Sequence, residues 1–159
     1  MNIRRQGGTT TVEFAIIGMV AMLCLLGVIE VSRLLFVINT LGESTRRGAR
    51  LAVVCPVNDP AIAQMAVFNS SGGNNSPVIN NLSTGNILLE YLDAAGNTIG
   101  GDLTDPAVYV TIAYARVQIV NYVHPWIFPG GLVFNMPPQP STLPRESLGV
   151  PRNEPIQPC

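Results

Sequence analysis

The sequence predicts an α+β chain, with a long N-terminal membrane-spanning helix followed by a small β-rich extracytoplasmic domain. Three observations carry this reading. Residues 14–29 contain no charged side chain and are mostly Ala, Ile, Leu, Val and Met. No proline interrupts residues 9–54, and Pro56 then supplies a stop. Beyond residue 86 the apolar residues fall in short or alternating runs bounded by Gly, Asn and Pro, the spacing of strands. The 159 residues hold one domain once the helix is subtracted. At a net charge of −1 nothing points to a nucleic-acid partner, which would need a basic face. All nine basic residues are Arg. Only 12% of the chain is charged, against about 25% in a typical soluble domain. The deficit concentrates in 14–29, which points to lipid.

The first element is a short polar leader, residues 1–8, with Arg4 and Arg5. A secretory signal places its small-residue cleavage site after the apolar stretch. Here the small pair Gly7-Gly8 precedes that stretch, and no Ala-x-Ala pattern follows it closely. A cut after Gly8 would leave the apolar helix on the mature chain, beginning at Thr9. Glu13 would then be the fifth residue and Phe14 the sixth. A lone acid at the head of an apolar helix costs a few kcal/mol in hydrocarbon, so it marks a pairing role. A second reading stays open: Thr10-Thr11-Val12-Glu13 fits a capping box, with Glu13 reaching back to the Thr10 N–H.

A glycine before the cut and an acid at mature position five resemble the class III signal of type IV pilins. The Glu13-Phe14 pair resembles the TadE/TadG-like minor pilins, or pseudopilins, of tight-adherence (Flp) pili; major Flp pilins carry Glu-Tyr instead. Arg46-Arg47-Gly48-Ala49-Arg50 is similar to the Ala-Arg-x-Gly-Ala-Arg segment common in TadE-like proteins, with Thr45 in place of the usual small residue. The likeness is specific over residues 7–55 and looser over 108–149. It implies a type IV pilin-like fold, cleavage between Gly8 and Thr9 by a prepilin peptidase, and subunit assembly through Glu13 and Phe14. In that scheme Glu13 compensates the new α-amino group of Thr9 on a neighbouring subunit. The implied partners are other pilin or pseudopilin subunits, an inner-membrane assembly platform and the lipid bilayer. Arg4, Arg5 and the amino terminus favour the inside, giving a single-pass inner-membrane protein, N-in and C-out. Arg46, Arg47 and Arg50 oppose this count but lie far beyond the apolar core.

The second element is the continuation of the helix. Residues 9–54 would span about 70 Å as a helix, whereas a bilayer core needs about 30 Å. The chain therefore divides into the leader 1–8, a transmembrane segment 9–32, an extracytoplasmic extension 33–55 and a small α+β domain 56–159. Glu30 and Arg33, spaced i,i+3 at the outer membrane edge, form an ion pair within the chain or between subunits. Glu43, Arg46, Arg47 and Arg50 make a solvated polar stripe, while Leu34, Ile38, Leu41, Ala49 and Val53 offer apolar surface.

In the outer domain, Asp59-Pro60 opens a short helix through residue 68, with Asp as cap and Pro in the first turn. Residues 70–81, rich in Ser, Gly and Asn, form a loop. Residues 87–92 are a strand, and 93–97 a turn into a second short strand. Residues 107–123 carry the clearest alternation, predicted as a central strand packed on the long helix with a break near Arg116. Residues 132–136 add another strand. Seven prolines from Pro137 onward keep the tail out of a sheet interior, so it runs extended over the surface. Within it, Thr142 to Gly149 resembles the terminal region of several TadE-like proteins.

Of the three cysteines, Cys24 lies in the apolar run and reads as a small buried hydrophobe. Cys55 and Cys159 lie outside it. An oxidising compartment favours a disulfide between them over two free thiols. No catalytic constellation appears. His124 is the only histidine, which excludes a His-based metal cluster within one chain. No Gly-rich phosphate loop and no Ser elbow occur, and the acids Asp102 and Asp105 flank a turn. The expected function is structural, without cofactor, metal or enzymatic activity: a part in assembly or function of an adhesive pilus. Two further readings stand beside it. One is a permanently anchored interaction protein that keeps its leader. The other is a tethered binding module, for which Trp126, Tyr109, Tyr114 and Tyr122 are natural probes.

Overall fold

The structure, a computed structural model, describes residues 8–127, 131–150 and 159. Residues 1–7, 128–130 and 151–158 lie outside the described set, and so do the expectations that fall on them. The layout is α+β: one long apolar helix followed by a small antiparallel-sheet domain. Helix α1, Thr9–Ala52, runs 44 residues without a proline. The chain divides into two compact units, Met1–Phe36 and Val37–Cys159, with the division inside α1.

In the first unit the helix presents its apolar side chains outward. Phe14, Ile17, Met19, Val28 and many of their neighbours are exposed. Helix α1 is long and apolar enough to cross a membrane, and none of its most apolar window is buried within the chain. Cys24 is likewise exposed, not buried as its neighbours suggested.

In the second unit the same helix is half covered. Val37, Leu41, Ser44, Thr45, Gly48, Ala49 and Ala52 are buried. They follow the i, i+4, i+7, i+8 rhythm of one helical face. Most are small, and this lets the sheet approach the backbone. A Cβ placed on Gly48 would stand 3.0 Å from Val117 Cγ1 and 3.1 Å from Ala66 Cβ. Ser44 Oγ donates to the Ala66 carbonyl at 2.7 Å, which ties α1 to α2, Pro60–Ala66. That helix begins where Asp59 accepts from the Ala61 N–H and Pro60 needs no donor.

The three-stranded sheet consists of β1, Ile87–Leu92, β2, Tyr114–Ile119, and β5, Gln139–Pro144, in the order β1-β2-β5. All neighbours are antiparallel. Central β2 turns Ala115, Val117 and Ile119 inward. With Ala49, Ala52, Val53, Tyr91 and Leu148, Ala115 and Val117 form the hydrophobic core. A separate two-stranded hairpin pairs β3, Val123–Pro125, with β4, Val133–Asn135.

Several sequence expectations are corrected here. Helix α1 ends at Ala52 rather than at 54 or 55. The amides of Val54 and Cys55 both turn back to the Leu51 carbonyl, at 3.0 and 2.7 Å, in a tightened last turn before Pro56. Residues 107–113 do not start the central strand. Asp105-Pro106 repeats the Asp59-Pro60 cap and opens a short helix α3, Pro106–Tyr109. Arg116 does not mark the break in the long run; it sits mid-strand opposite Glu90, 3.8 Å away. The interruption comes after Ile119, where Asn121 adopts φ 56°. The turn at 93–97 leads not to a second strand but to a single bridge, Leu92 with Thr98. The proline-rich tail joins the sheet, though only at its edge. Arg145 N–H reaches Ala113 O at 2.8 Å, so by the period of two, residues 139, 141 and 143 also face β2. Pro140 and Pro144 then direct their donorless nitrogens to the open edge, the one place a strand tolerates them.

Candidate functional site

Three groups of functional candidates emerge. The first is the head of α1. The Gly8 carbonyl accepts from the Val12 N–H at 3.4 Å and closes the first helical turn. Nothing lies within 4 Å of a Cβ built on Gly8, so the fold itself makes no demand for glycine there. Thr10 lies within the helix and is not its cap, because α1 already starts at Thr9. The Glu13 side chain makes no hydrogen bond or ion pair among the described residues, the reach-back of a capping box included, and the residue is exposed. Phe14 beside it is 78% exposed.

The second group lies four to five turns further along the helix. Arg33 Nη1 donates to both carboxylate oxygens of Glu30, at 3.1 and 3.0 Å. The Glu30 side chain is almost wholly buried, and that of Arg33 is a third exposed. A carboxylate removed from water requires such a charge-assisted partner. Glu13 and Glu30 are separated by about 25 Å of helix axis and form no common site.

The third group gathers where α1 ends, within the second unit. Cys55 and Cys159 are joined by a disulfide with Cα atoms 5.7 Å apart, across a sequence separation of 104. The Cys159 amide donates to Asp59 Oδ2 at 3.1 Å while Asp59 Oδ1 caps α2. A cavity of about 560 Å³ opens beside this bridge, lined by Leu51, Met65 and Asn69 among others. The segment after β5 then clamps the helix end. Leu148 N–H donates to Val53 O at 3.1 Å, and Gly149 N–H and Ser147 Oγ donate to Val54 O at 2.6 and 3.1 Å. These bonds satisfy carbonyls that a helix terminus leaves without partners. Arg145 holds the clamp in place. Its guanidinium lies over the Tyr109 ring, 4.9 Å from the centroid, and donates to Tyr109 O and Ile112 O. Tyr109 Oη in turn donates to the carbonyls of Ser147 and Leu148 at 3.3 Å. Gly149 is required here: φ is +77°, and a Cβ would meet Pro56 at 2.5 Å.

The sequence marked residues 142–149 by resemblance but assigned them no task. Arg145, Tyr109 and Gly149 were legible only as an isolated Arg, an alternating Tyr and one Gly among many. The remaining candidates resolve into local structure. Asp102 accepts from Thr104 N–H and Oγ1, and Asp105 caps α3. His124 is buried in β3 opposite Phe134. Among the described residues no three His, Cys, Asp or Glu side chains gather as a metal site would require. The titration shifts are structural in origin. Burial raises the Tyr91 phenol above its ordinary value near 10, and the Asn58 N–H bonded to its oxygen acts against this. The Asn97 backbone and side chain, bonded to Asp93, hold that carboxyl below its ordinary 3.8.

Compared with known proteins, residues 8–50 match the family model of TadE-like protein. The N-terminal region of the chain is thus similar to TadE-like proteins. No curated protein and no solved structure matches the chain.

Proposed function

We propose that this TadE-like chain is a minor pilin, or pseudopilin, that takes part in assembly or adhesive function of a tight-adherence pilus. In this reading a prepilin peptidase removes residues 1–8. Residues 9–32 hold the chain in the bacterial inner membrane, N-in and C-out, and 33–55 carry the domain 56–159 outside. The role is structural and not catalytic. The observation that carries the proposal is the state of the helix head. A carboxylate at Glu13 stands at the start of an apolar helix with no partner within its own chain among the described residues. Such a charge in hydrocarbon is costly until something neutralises it. A free α-amine on Thr9 of a neighbouring subunit is a partner of the right sign at the right end. Gly8 supports the same reading. Open space surrounds it, so a requirement for glycine there belongs to an enzyme that handles the chain and not to the fold.

N-terminal sequencing of the membrane-derived protein tests this. The expected first residue is Thr9 for the native chain and Met1 for Gly8→Ala. A native chain that still begins at Met1 leaves Glu13 without its amine and returns the protein to a permanently anchored interaction module.

A further inference from the structure

The two ends of the Cys55–Cys159 bridge stand in different surroundings. Cys55 is 1% exposed and belongs to the hydrophobic core with Val53, Ile62 and Leu148. Cys159 is exposed. Both line the cavity of about 560 Å³ that lies against the end of α1 and against α2. Leu51, Ala61 and Met65 give this cavity an apolar side, and Asn69 and Ser70 a polar one. Its size and mixed lining suit a few residues of peptide.

The sulphurs are not the only groups that bring the chain to this place. The amides of Leu148 and Gly149 donate to Val53 O and Val54 O, and the Cys159 amide donates to Asp59 Oδ2 at 3.1 Å. Thiol–disulfide exchange is a displacement in which a thiolate attacks one sulphur of a disulfide and the other sulphur leaves. Access decides which sulphur takes part. An approach to Cys55 from outside passes through packed core side chains, whereas Cys159 is open to solvent beside the cavity. A cavity walled by the sulphurs selects an occupant that carries sulphur of its own.

From this we infer that Cys159 is the thiol-exchange site of this chain, and that the cavity seats the disulfide-bearing segment of a thiol–disulfide oxidoreductase that closes the bridge. The Cys159 thiolate attacks the partner's disulfide, forms a mixed disulfide and releases one partner thiolate. The Cys55 thiolate then attacks Cys159 Sγ, and the second partner thiolate leaves. The two protons given up by Cys55 and Cys159 pass to the two partner thiolates. The dithiol of this chain is oxidised and the partner's disulfide is reduced. Cys55 thereby meets no sulphur except that of Cys159. The inference goes beyond the reading of the helix head and uses the outer unit alone.

The test uses the full chain in detergent micelles, with Cys24→Ser in every sample to remove the third thiol. In the folded, reduced chain, iodoacetamide should label Cys159 about ten-fold faster than Cys55, and in urea the two should react alike. With oxidised glutathione as the probe, Cys55→Ser should accumulate a mixed disulfide at Cys159 about ten-fold faster than Cys159→Ser accumulates one at Cys55. Met65→Trp, which fills the cavity, should slow glutathione capture by Cys55→Ser about five-fold and leave iodoacetamide labelling of Cys159 unchanged. If a single-cysteine variant loses its fold, the labelling of the native dithiol and the effect of Met65→Trp on its oxidation by glutathione decide instead. Equal labelling of the two cysteines in the folded chain, or faster labelling of Cys55, overturns Cys159 as the exchange site. Glutathione capture that Met65→Trp leaves unchanged, or slows no more than iodoacetamide labelling, overturns the cavity as the partner's seat.

Discussion

One helix crosses two environments in this molecule. Over residues 9–36 its large apolar side chains face outward, and Gly18 and Gly27 have nothing within 4 Å of a built Cβ. Over residues 37–52 one face is lined with Ser44, Thr45, Gly48, Ala49 and Ala52 and is buried, with α2 and the sheet packed against it. The contrast separates two uses of hydrophobicity. Large side chains on an uncovered helix create apolar area that requires lipid or neighbouring subunits. Small side chains give up that area so that another backbone can come close. Only the second kind is sensitive to a single added methyl group.

The comparison can be broken at several points, the largest effect first. Cys55→Ser with Cys159→Ser should leave the helix intact and destabilise only the outer unit, by about 2–5 kcal/mol for a loop of this length. Urea unfolding of the full chain in nanodiscs, followed through the tyrosines and Trp126, reads the change. Gly48→Val inserts carbon against Val117 and Ala66 and should cost about 1–3 kcal/mol in the same assay. Gly18→Val, in open space, should leave the outer unit unchanged. Equal losses from both would erase the distinction between the two halves of α1. Gly149→Ala forces a side chain into a left-handed backbone and against Pro56, for about 1–2 kcal/mol. Proteolysis after residue 144 should then accelerate, because the clamp on Val53 and Val54 opens more often.

The smallest effects lie in the pH dependence of the outer unit. The raised pKa of Tyr91 means that the folded chain holds its phenolic proton more tightly than the unfolded chain does. That stabilisation is complete below the ordinary value near 10 and is lost as pH rises through the higher folded value. Asp93 behaves in the opposite sense. Its depressed pKa stabilises the fold above the ordinary 3.8, and the effect fades as pH falls through the folded value. Asn97→Ala should bring the Asp93 titration, followed by carboxyl-carbon NMR, back toward the ordinary range. An unmoved titration removes Asn97 as the cause.

Much of this architecture is written in short-range pattern. The absence of proline from 9 to 54, the Asp59-Pro60 cap and the apolar run at 87–92 each specify local backbone geometry. The covered face of α1 was less visible, because Ser, Thr, Gly and Ala carry too little hydrophobicity to register beside Leu41 and Val53. At 107–113 two local rules competed. Alternation favoured a strand, but an Asp side chain within reach of the Ala107 amide, followed by a proline, starts a helix. Alternation is only a tendency of side chains to sort between two faces, whereas the cap supplies a hydrogen bond to an orphan donor.

The sequence alone determined the long helix, its apolar and uncharged stretch at 14–29, the acid and glycine at its head and the α+β composition of the chain beyond Pro56. All of these depend on residues within a few positions of one another. Tertiary structure decided which strands pair, that the proline-rich tail closes the sheet at an edge, and that Arg145, Tyr109 and Gly149 fasten that tail to the end of α1. Those outcomes require groups some 20 to 90 positions apart to meet. Such meetings arise from register and close packing, which no local pattern encodes.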